Sequence, residues 1–302
     1  MFKDVKIIID GSYFCYFTIF SAFSTWSKRN KIKPTSDLDP TKFQDFINIL
    51  EARLLDKFEL ISAMLQKKFD VNIHTANIPM LFALDCHRKD NWRKEKFSGY
   101  KIKREIAPKI FNIGACFEYI FSTMLNLPQV LEKYNLIKIK SESAEGDDII
   151  GVIVRYIPSE LNIIFASDHD FLQLKNDKTQ IVNLFGDSVD FTNFIKSKDV
   201  MRDITTWQDF LLLKILYGDG ADCIPHVFPG RGMKKCIALV NDKEQLKNLL
   251  RENQEALNQF KLNSELIDFA KIPPRIKDII LNNFKEQTDK WKTTTRSGRM
   301  LW

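Results

Sequence analysis

Residues 5–12 read VKIIIDGS. An apolar run with little room for polar side chains closes in Asp10, and Gly11-Ser12 then turns the chain into an aromatic helix that the pattern carries through Phe20. A short, nearly continuous apolar run bounded by a turn is the mark of a strand buried on both faces, as in a parallel sheet. The same punctuation recurs down the chain. NIPMLFALD (77–85) closes in Asp85, and LNIIFAS (161–167) is followed by Asp168 and Asp170. LIKIKS (136–141) precedes AEGDDIIGVIVRYI (144–157), a helix whose first turn carries Glu145, Asp147 and Asp148, and TQIVNLF (179–185) is a fifth strand. Strands alternating with helices argue for an α/β fold with a mostly parallel central sheet flanked by helices. In such sheets the working crevice lies beyond the carboxyl ends of the strands.

A long helix is predicted from Thr41 to Lys68 and another over 111–126. After Lys196 the strand signals fade, and helices are expected over 206–217, 233–240, 243–259, 263–270 and 273–285. The expected division is therefore an α/β domain over 1–200 and a smaller all-helical domain over 201–302. The latter should end in a basic, flexible tail from about 287 to 302. The chain has 302 residues, 44% hydrophobic and 28% charged, as in an ordinary soluble globular protein. No apolar run is long enough to span a bilayer, so no membrane contact is expected, and the short N-terminal apolar stretch ends in Asp, unlike a signal peptide. Five scattered cysteines without a CxxC pattern suggest reduced thiols, a cytoplasmic setting and no zinc site.

Charge is concentrated. Between Arg88 and Arg104 stand eight basic and two acidic residues, a local excess equal to the +6 of the whole chain. A solvated basic helix face is one reading. A patch for a polyanion, next to an acidic cleft that acts on it, is the other.

The acids supply the chemistry. Asp10, Asp85, Glu145, Asp147, Asp148, Asp168, Asp170, Asp219 and Asp222 all stand at strand ends, helix starts or glycine turns. Singly, Asp10 could cap a strand end, and Glu145, Asp147 and Asp148 could be ordinary first-turn acids. Jointly, five separate segments would bring carboxylates to one crevice, where they repel unless a cation holds them. Oxygen ligands of this kind suit magnesium, with manganese as a substitute. Two ions roughly 4 Å apart hydrolyse phosphodiesters without a side-chain nucleophile, and such a site needs many carboxylates.

In this order and spacing the motifs resemble those of the flap endonuclease and 5′→3′ exonuclease family, most closely its bacteriophage RNase H members. Asp10 and Asp85 match the family's aspartates after the first two strands. Glu145-Gly146-Asp147-Asp148 matches Glu-x-Asp-Asp, Asp168 and Asp170 match Asp-x-Asp, and Gly218, Asp219 and Asp222 match Gly-Asp-x-x-Asp. Tyr100-Lys101-Ile102-Lys103-Arg104, with Arg93 after Trp92, matches the base of a helical arch that passes a single-stranded 5′ end. Pro229-Gly230-Arg231-Gly232-Met233-Lys234-Lys235 matches a helix–turn–helix variant whose amides grip duplex phosphates. Two departures stand out. His169 replaces the usual glycine between the two aspartates, and the stretch from Asp222 to Gly230 is one residue longer than usual, with Pro225 and His226 in it.

The resemblance implies a PIN-like 5′-nuclease fold with an arch at about 86–125. It implies a structure-specific, magnesium-dependent 5′→3′ exonuclease and flap endonuclease that removes RNA primers and flaps in DNA replication. Asp10, Asp85, Glu145 and Asp147 would serve mainly a first ion, and Asp148, Asp168, Asp170, Asp219 and Asp222 a second. A potassium ion would sit at the helix–turn–helix. Lys101 and Arg93 would approach the scissile phosphate and Tyr100 would stack on the base beside it. Lys94, Lys103, Arg104, Gly230, Gly232, Lys234 and Lys235 would hold nucleic acid, and Trp92 would either stack on a base or pack within the arch. Expected partners are a duplex with a 5′ flap or RNA-primed end, and a sliding clamp and single-strand-binding protein. From the residues alone, the apolar Met300-Leu301-Trp302 on the basic tail reads either as a frayed terminus or as a segment that docks on such a clamp. The protein would be a monomer in the cytoplasm, that of the host if the source is viral. Two other readings remain: a PIN-type ribonuclease, and a catalytically silent DNA-binding replication protein.

Overall fold

The computed structural model describes residues 4–196, 201 and 203–298. Five strands form one parallel sheet in the order β3-β2-β1-β4-β5: β1 Val5–Asp10, β2 Met80–Leu84, β3 Leu136–Lys140, β4 Leu161–Phe165 and β5 Thr179–Val182. The central strand is the first in sequence, so the chain winds outward one way and then the other. The switch falls between β1 and β4, where a crevice opens at the carboxyl ends. Asp10 is in register with Ala83 of β2, and Ile9 with Phe165 of β4.

Alternation along β1 sorts its side chains. Val5, Ile7 and Ile9 face a core built with α1 (Gly11–Arg29) and α2 (Gln44–Phe69), while Ile8 joins the opposite core. Gly11 makes the first packing possible, because a Cβ there would lie 2.4 Å from the carbonyl oxygen of Ala83. Helix α1 runs to Arg29, well past Phe20, with Lys28 and Arg29 in a last turn that suits cations. A single turn, α3 (Ile73–Ala76), leads into β2.

The basic segment forms two short helices, α4 (Trp92–Lys96) and α5 (Ile102–Ile106), and residues 102–110 are all exposed, whereas Phe111 is buried. Helix α6 (Ile113–Ser122) buries Cys116 and Ile120 in the first core, so this part of the expected arch is body rather than arch. A turn, α7 (Pro128–Leu131), precedes β3, and α8 (Gly146–Tyr156) covers the second face.

Helix α9 (Phe191–Lys196) leaves the sheet, and α10 (Trp207–Tyr217), α11 (Met233–Asn241), α12 (Lys243–Glu252) and α13 (Gln254–Ile267) build a separate apolar cluster around Phe210, Leu213, Leu216, Ile237 and Val240. The helix read over 243–259 is broken at Asn253, whose side chain accepts from the Ala256 amide and starts α13 anew. Helix α14 (Pro274–Gly298) then returns to the sheet. Ile276 and Ile280 are fully buried with Ile149 and Ile153 of α8, so in packing this helix belongs to the α/β unit. The stretch expected as a flexible tail from 287 continues α14 to Gly298, and Met300, Leu301 and Trp302 lie outside the described residues. No helix among the described residues is long and apolar enough to cross a membrane.

Candidate active site

Five carboxylates share the walls of one cavity of about 330 Å3 at the carboxyl ends of β1, β2 and β4: Asp10, Asp85, Glu145, Asp147 and Asp168. A narrower cleft of about 20 Å3 is lined by Glu145, Asp147, Asp170, Asp219 and Asp222. Glu145 and Asp147 therefore belong to both, and eight of the nine expected acids line the pair. Among the described residues no three His, Cys, Asp or Glu side chains close into a tight metal cage. Like charges keep the carboxylates apart along the walls.

Local structure places each group. Asp10 caps α1, accepting from the Tyr13 amide at 3.0 Å. Asp85 accepts from the Ser12 hydroxyl and, at 2.6 Å, from the Gly146 amide, so it ties the start of α1 to the start of α8. Asp168 caps the turn after β4, accepting from the Asp170 amide at 2.8 Å. Burial, then the charges of Asp85 and Asp168, push the Asp10 carboxyl up to about 7. Burial and the charges of Asp10 and Asp168 push Asp147 well above its ordinary range. Both groups are short of positive charge.

Glu145 is the opposite case. Burial would raise it, but Lys101 and Arg93 win and bring it down to about 2. Its carboxylate accepts from Lys101 Nζ at 2.6 Å, Tyr100 OH at 2.8 Å and Arg93 Nη1 at 3.2 Å. Asp222 stands beside this cluster: Arg104 Nη2 lies 2.6 Å from one of its oxygens, and Tyr100 OH 3.3 Å and Lys101 Nζ 3.8 Å from the other. The basic segment is thus pinned across the cleft to α8 and to the turn after α10. Its Lys101 amide also donates to the Asp222 carbonyl at 2.9 Å.

Several expected roles meet a different geometry. Asp148, read as a metal ligand, is fully buried. Both its oxygens accept from Arg93 at 2.8 Å, and one also accepts from Trp92 Nε1 at 2.9 Å and from the Glu145 amide at 3.0 Å. An adjacent pair at a helix start diverges, and here Asp147 points to the cavities while Asp148 points inward. Trp92, read as either a base-stacking or an internally packed side chain, is buried as that donor. Arg93, expected at the phosphate, is 4% exposed and also donates from Nε to the Leu266 carbonyl at 2.8 Å. Tyr100, expected to stack on a base, is 3% exposed. Its ring lies under Lys101 Nζ, 4.9 Å from the centroid. Lys94 pairs with Glu105 and so links α4 to α5, while Lys103 is exposed.

Lys214 was missed. It lies between Asp170 and Asp219, pairing with the first and 3.2 Å from the second. Burial would lower its ammonium, but these two carboxylates raise it. Its signal was a lone lysine inside FLLLKILY, since a lysine in an apolar helix needs a partner. Ser12, Tyr13, Tyr16, Arg88 and Asn91 also line the large cavity. Only Ser12, two residues past Asp10, was within reach of motif reading. His169 lies against Phe194, with ring centroids 4.2 Å apart.

Further along, Gly230 takes φ +76° and Gly232 begins α11 without a side-chain cap, so the first amides of that helix are open. A Cβ at either glycine would meet nothing within 4 Å, and Lys234 and Lys235 are exposed beside them. The longer loop before it is held by Asn263, fully buried, whose amide donates to the carbonyls of Ile215 and Pro225, each at 2.8 Å.

Residues 6–205 match the family described as the 5′–3′ exonuclease, N-terminal resolvase-like domain, and residues 211–300 match the T4 RNase H C-terminal region. Among curated proteins, DNA polymerase I of Bacillus subtilis is 27% identical over 63% of this chain, which spans only 20% of that protein's length. Ribonuclease H of Enterobacteria phage T4 is 28% identical over 68% of this chain and 69% of its own. Among solved structures, the T5 5′-exonuclease with divalent zinc ions bound aligns with a TM-score of 0.60 at 16% identity, covering 94% of this chain and 99% of that one. A bacteriophage T5 flap endonuclease complexed with DNA and metal ions aligns with a TM-score of 0.57 at 15% identity, covering 94% and 99%. At these identities the structural likeness speaks for the fold.

Proposed function

The chain belongs to the 5′–3′ exonuclease family, of the phage flap-endonuclease type, and from that premise we propose that it hydrolyses phosphodiesters at 5′ ends and flap junctions with the help of two magnesium ions. One observation carries this reading: eight carboxylates line two cavities that share Glu145 and Asp147, with a basic segment pinned across them. The donors are all oxygens, as magnesium prefers, and Asp10 and Asp147 are carboxylates that burial and neighbouring carboxylates push up. Ions bound here supply an activated water and offset charge on the leaving oxygen.

The remaining work falls to side chains of this protein. Asp10, Asp85, Asp147 and Asp168 would hold one ion. Asp170, Asp219 and Asp222 would reach the other, in part through water, with Lys214 holding the first two in place. Lys101 and Arg104 line the large cavity and would face the phosphate, where a preorganised cation stabilises developing negative charge. Arg93, Trp92 and Asp148 act from behind, fixing the start of α8 and hence the direction of Asp147. Tyr100 holds Glu145 rather than a base. The open amides of α11, with Lys234 and Lys235, would grip duplex phosphates, and their spacing from the cavity would select a junction.

The test is cleavage of a 5′-labelled flap duplex with and without magnesium, beside a blunt duplex and single-stranded RNA. Cutting near the junction only with metal is expected, and Asp147→Asn should nearly abolish it while leaving flap binding intact. Binding without cutting would favour a silent replication protein, and cutting of single-stranded RNA alone a PIN-type ribonuclease.

A further inference from the structure

Helix α1 carries two aromatic pairs at helical spacing that lead away from the carboxylates. Tyr16 and Phe20 face the basic segment's side, where Tyr16 meets Phe117 at 4.8 Å and Phe20 meets Phe111 at 5.6 Å. Tyr13 and Phe17 face the other side. There the Tyr13 hydroxyl accepts from the Leu184 amide at 3.1 Å, and the Phe17 ring meets that of Phe185 edge-on at 5.1 Å.

Phe185 is 71% exposed, yet the turn that carries it is firmly built. Asn183 Oδ1 accepts from the amides of Phe185 and Asp187, each at 2.9 Å, and the Asn183 and Asp187 backbones bond at 2.9 Å. Gly186 takes φ +89° at the tip, and Lys68 donates to its carbonyl. A large aromatic ring held in water by a rigid turn loses little freedom when something flat settles on it. Beside it, Arg53, Lys57, Leu60, Met64 and Lys68 recur on one face of α2. Lys57 Nζ lies over the Phe17 ring, 4.4 Å from its centroid, and Leu60 is 37% exposed. Asp56 and Asp187 lie nearby, and the three cations outweigh them.

We propose that Phe185, backed by Phe17 and flanked by Lys57 and Lys68, is a stacking platform for an unpaired base of the strand complementary to the one being cut. An aromatic face with cations around it is the chemistry that holds a base and its phosphate. The platform joins the site already described through Tyr13, which lines the carboxylate cavity and bonds the Phe185 turn. The strand assignment follows from topology. The basic segment follows β2 and Phe185 follows β5, three strand positions away, or about 14 Å. A flap junction presents two strands, and the basic segment and Phe185 lie on opposite sides of β1, so the base at Phe185 is assigned to the complement.

This inference rests on the proposed nuclease reading, and the experiment separates the two. Binding is measured in chelator on two duplexes with the same 5′ flap. One has a nick at the junction, and the other has a gap leaving one complementary-strand base unpaired, replaced by 2-aminopurine. Phe185→Ala should weaken binding of the gapped duplex about 10-fold, leave the nicked duplex within about 2-fold, and relieve 2-aminopurine quenching. Phe185→Trp should restore both. An equal loss on the two duplexes, or none on either while the wild type still binds and cuts flaps, overturns the platform alone. A change only in stimulation by a single-strand-binding protein would also overturn it, since the surface would then serve a protein. Wild-type protein that neither binds nor cuts flap duplexes overturns the site reading and the platform together.

Discussion

Asp10 and Asp148 show how one residue type takes opposite roles in one fold. Asp148 is neutralised within the fold by Arg93, whereas among the described residues no cation offsets Asp10, which burial pushes up to about 7. A carboxyl raised in the fold binds its proton more tightly there than in the unfolded chain. In chelator, the stability linked to Asp10 is therefore full below about pH 4, falls as pH rises towards 7, and stays low above. Asp10→Asn should stabilise chelator-treated protein at pH 8 by no more than about 4 kcal/mol, seen as a higher Tm, and leave its Tm unchanged near pH 4. Adding magnesium at pH 8 should raise the wild-type Tm and close the gap to the variant. Substitution at Asp148 acts the other way. Asp148→Asn strands a buried guanidinium and should cost about 3–5 kcal/mol in denaturant unfolding, unlike Asp147→Asn, which removes a repelled charge. Motif reading put Asp147 and Asp148 in one class because adjacent residues look alike in a line. Helical geometry turns one to the cavities and the other to Arg93 and Trp92.

Strands and helices place these groups, and the β1–α1 junction is the tightest case. Gly11 lets α1 start against β2, and Asp10 and Ser12 then fall on the crevice. The start of α11 is a looser design. Gly232 precedes the helix with space around it and leaves the first amides open. Gly232→Asp should cap α11 and keep or raise Tm, because Asp is a better cap than Gly and complements the helix dipole. The same carboxylate would repel phosphate, so binding of blunt duplex should fall about 10-fold in fluorescence anisotropy. Strand positions were legible because buried parallel strands are apolar runs. The boundaries at Arg29 and Asn253 were less so, since capping depends on where a side chain points.

For the protein as a chain of parts, the order of elements and their packing diverge. Residues after 200 look like a helical appendage, yet Ile276 and Ile280 of α14, with Ile272 just before it, complete the core beneath the sheet. Truncation after Phe269 should expose the apolar surface of α8, remove cooperative unfolding by circular dichroism and yield aggregated protein. If α14 were dispensable, the shortened chain would melt as the full one does.

Taken without coordinates, the residues already yield a parallel α/β architecture, the crevice at its strand ends, and the acids and basic segment that meet there. Those features rest on local patterns: apolar runs, acidic endings, glycine turns. Other facts needed the fold, because they depend on groups far apart in the chain meeting in space. Arg93, Trp92 and Asp148 lock together over more than fifty residues, Lys214 reaches back to Asp170, and α14 returns to the sheet. Burial then decides which carboxylates keep an uncompensated charge and so can take up a cation, and burial is a property of the packed molecule.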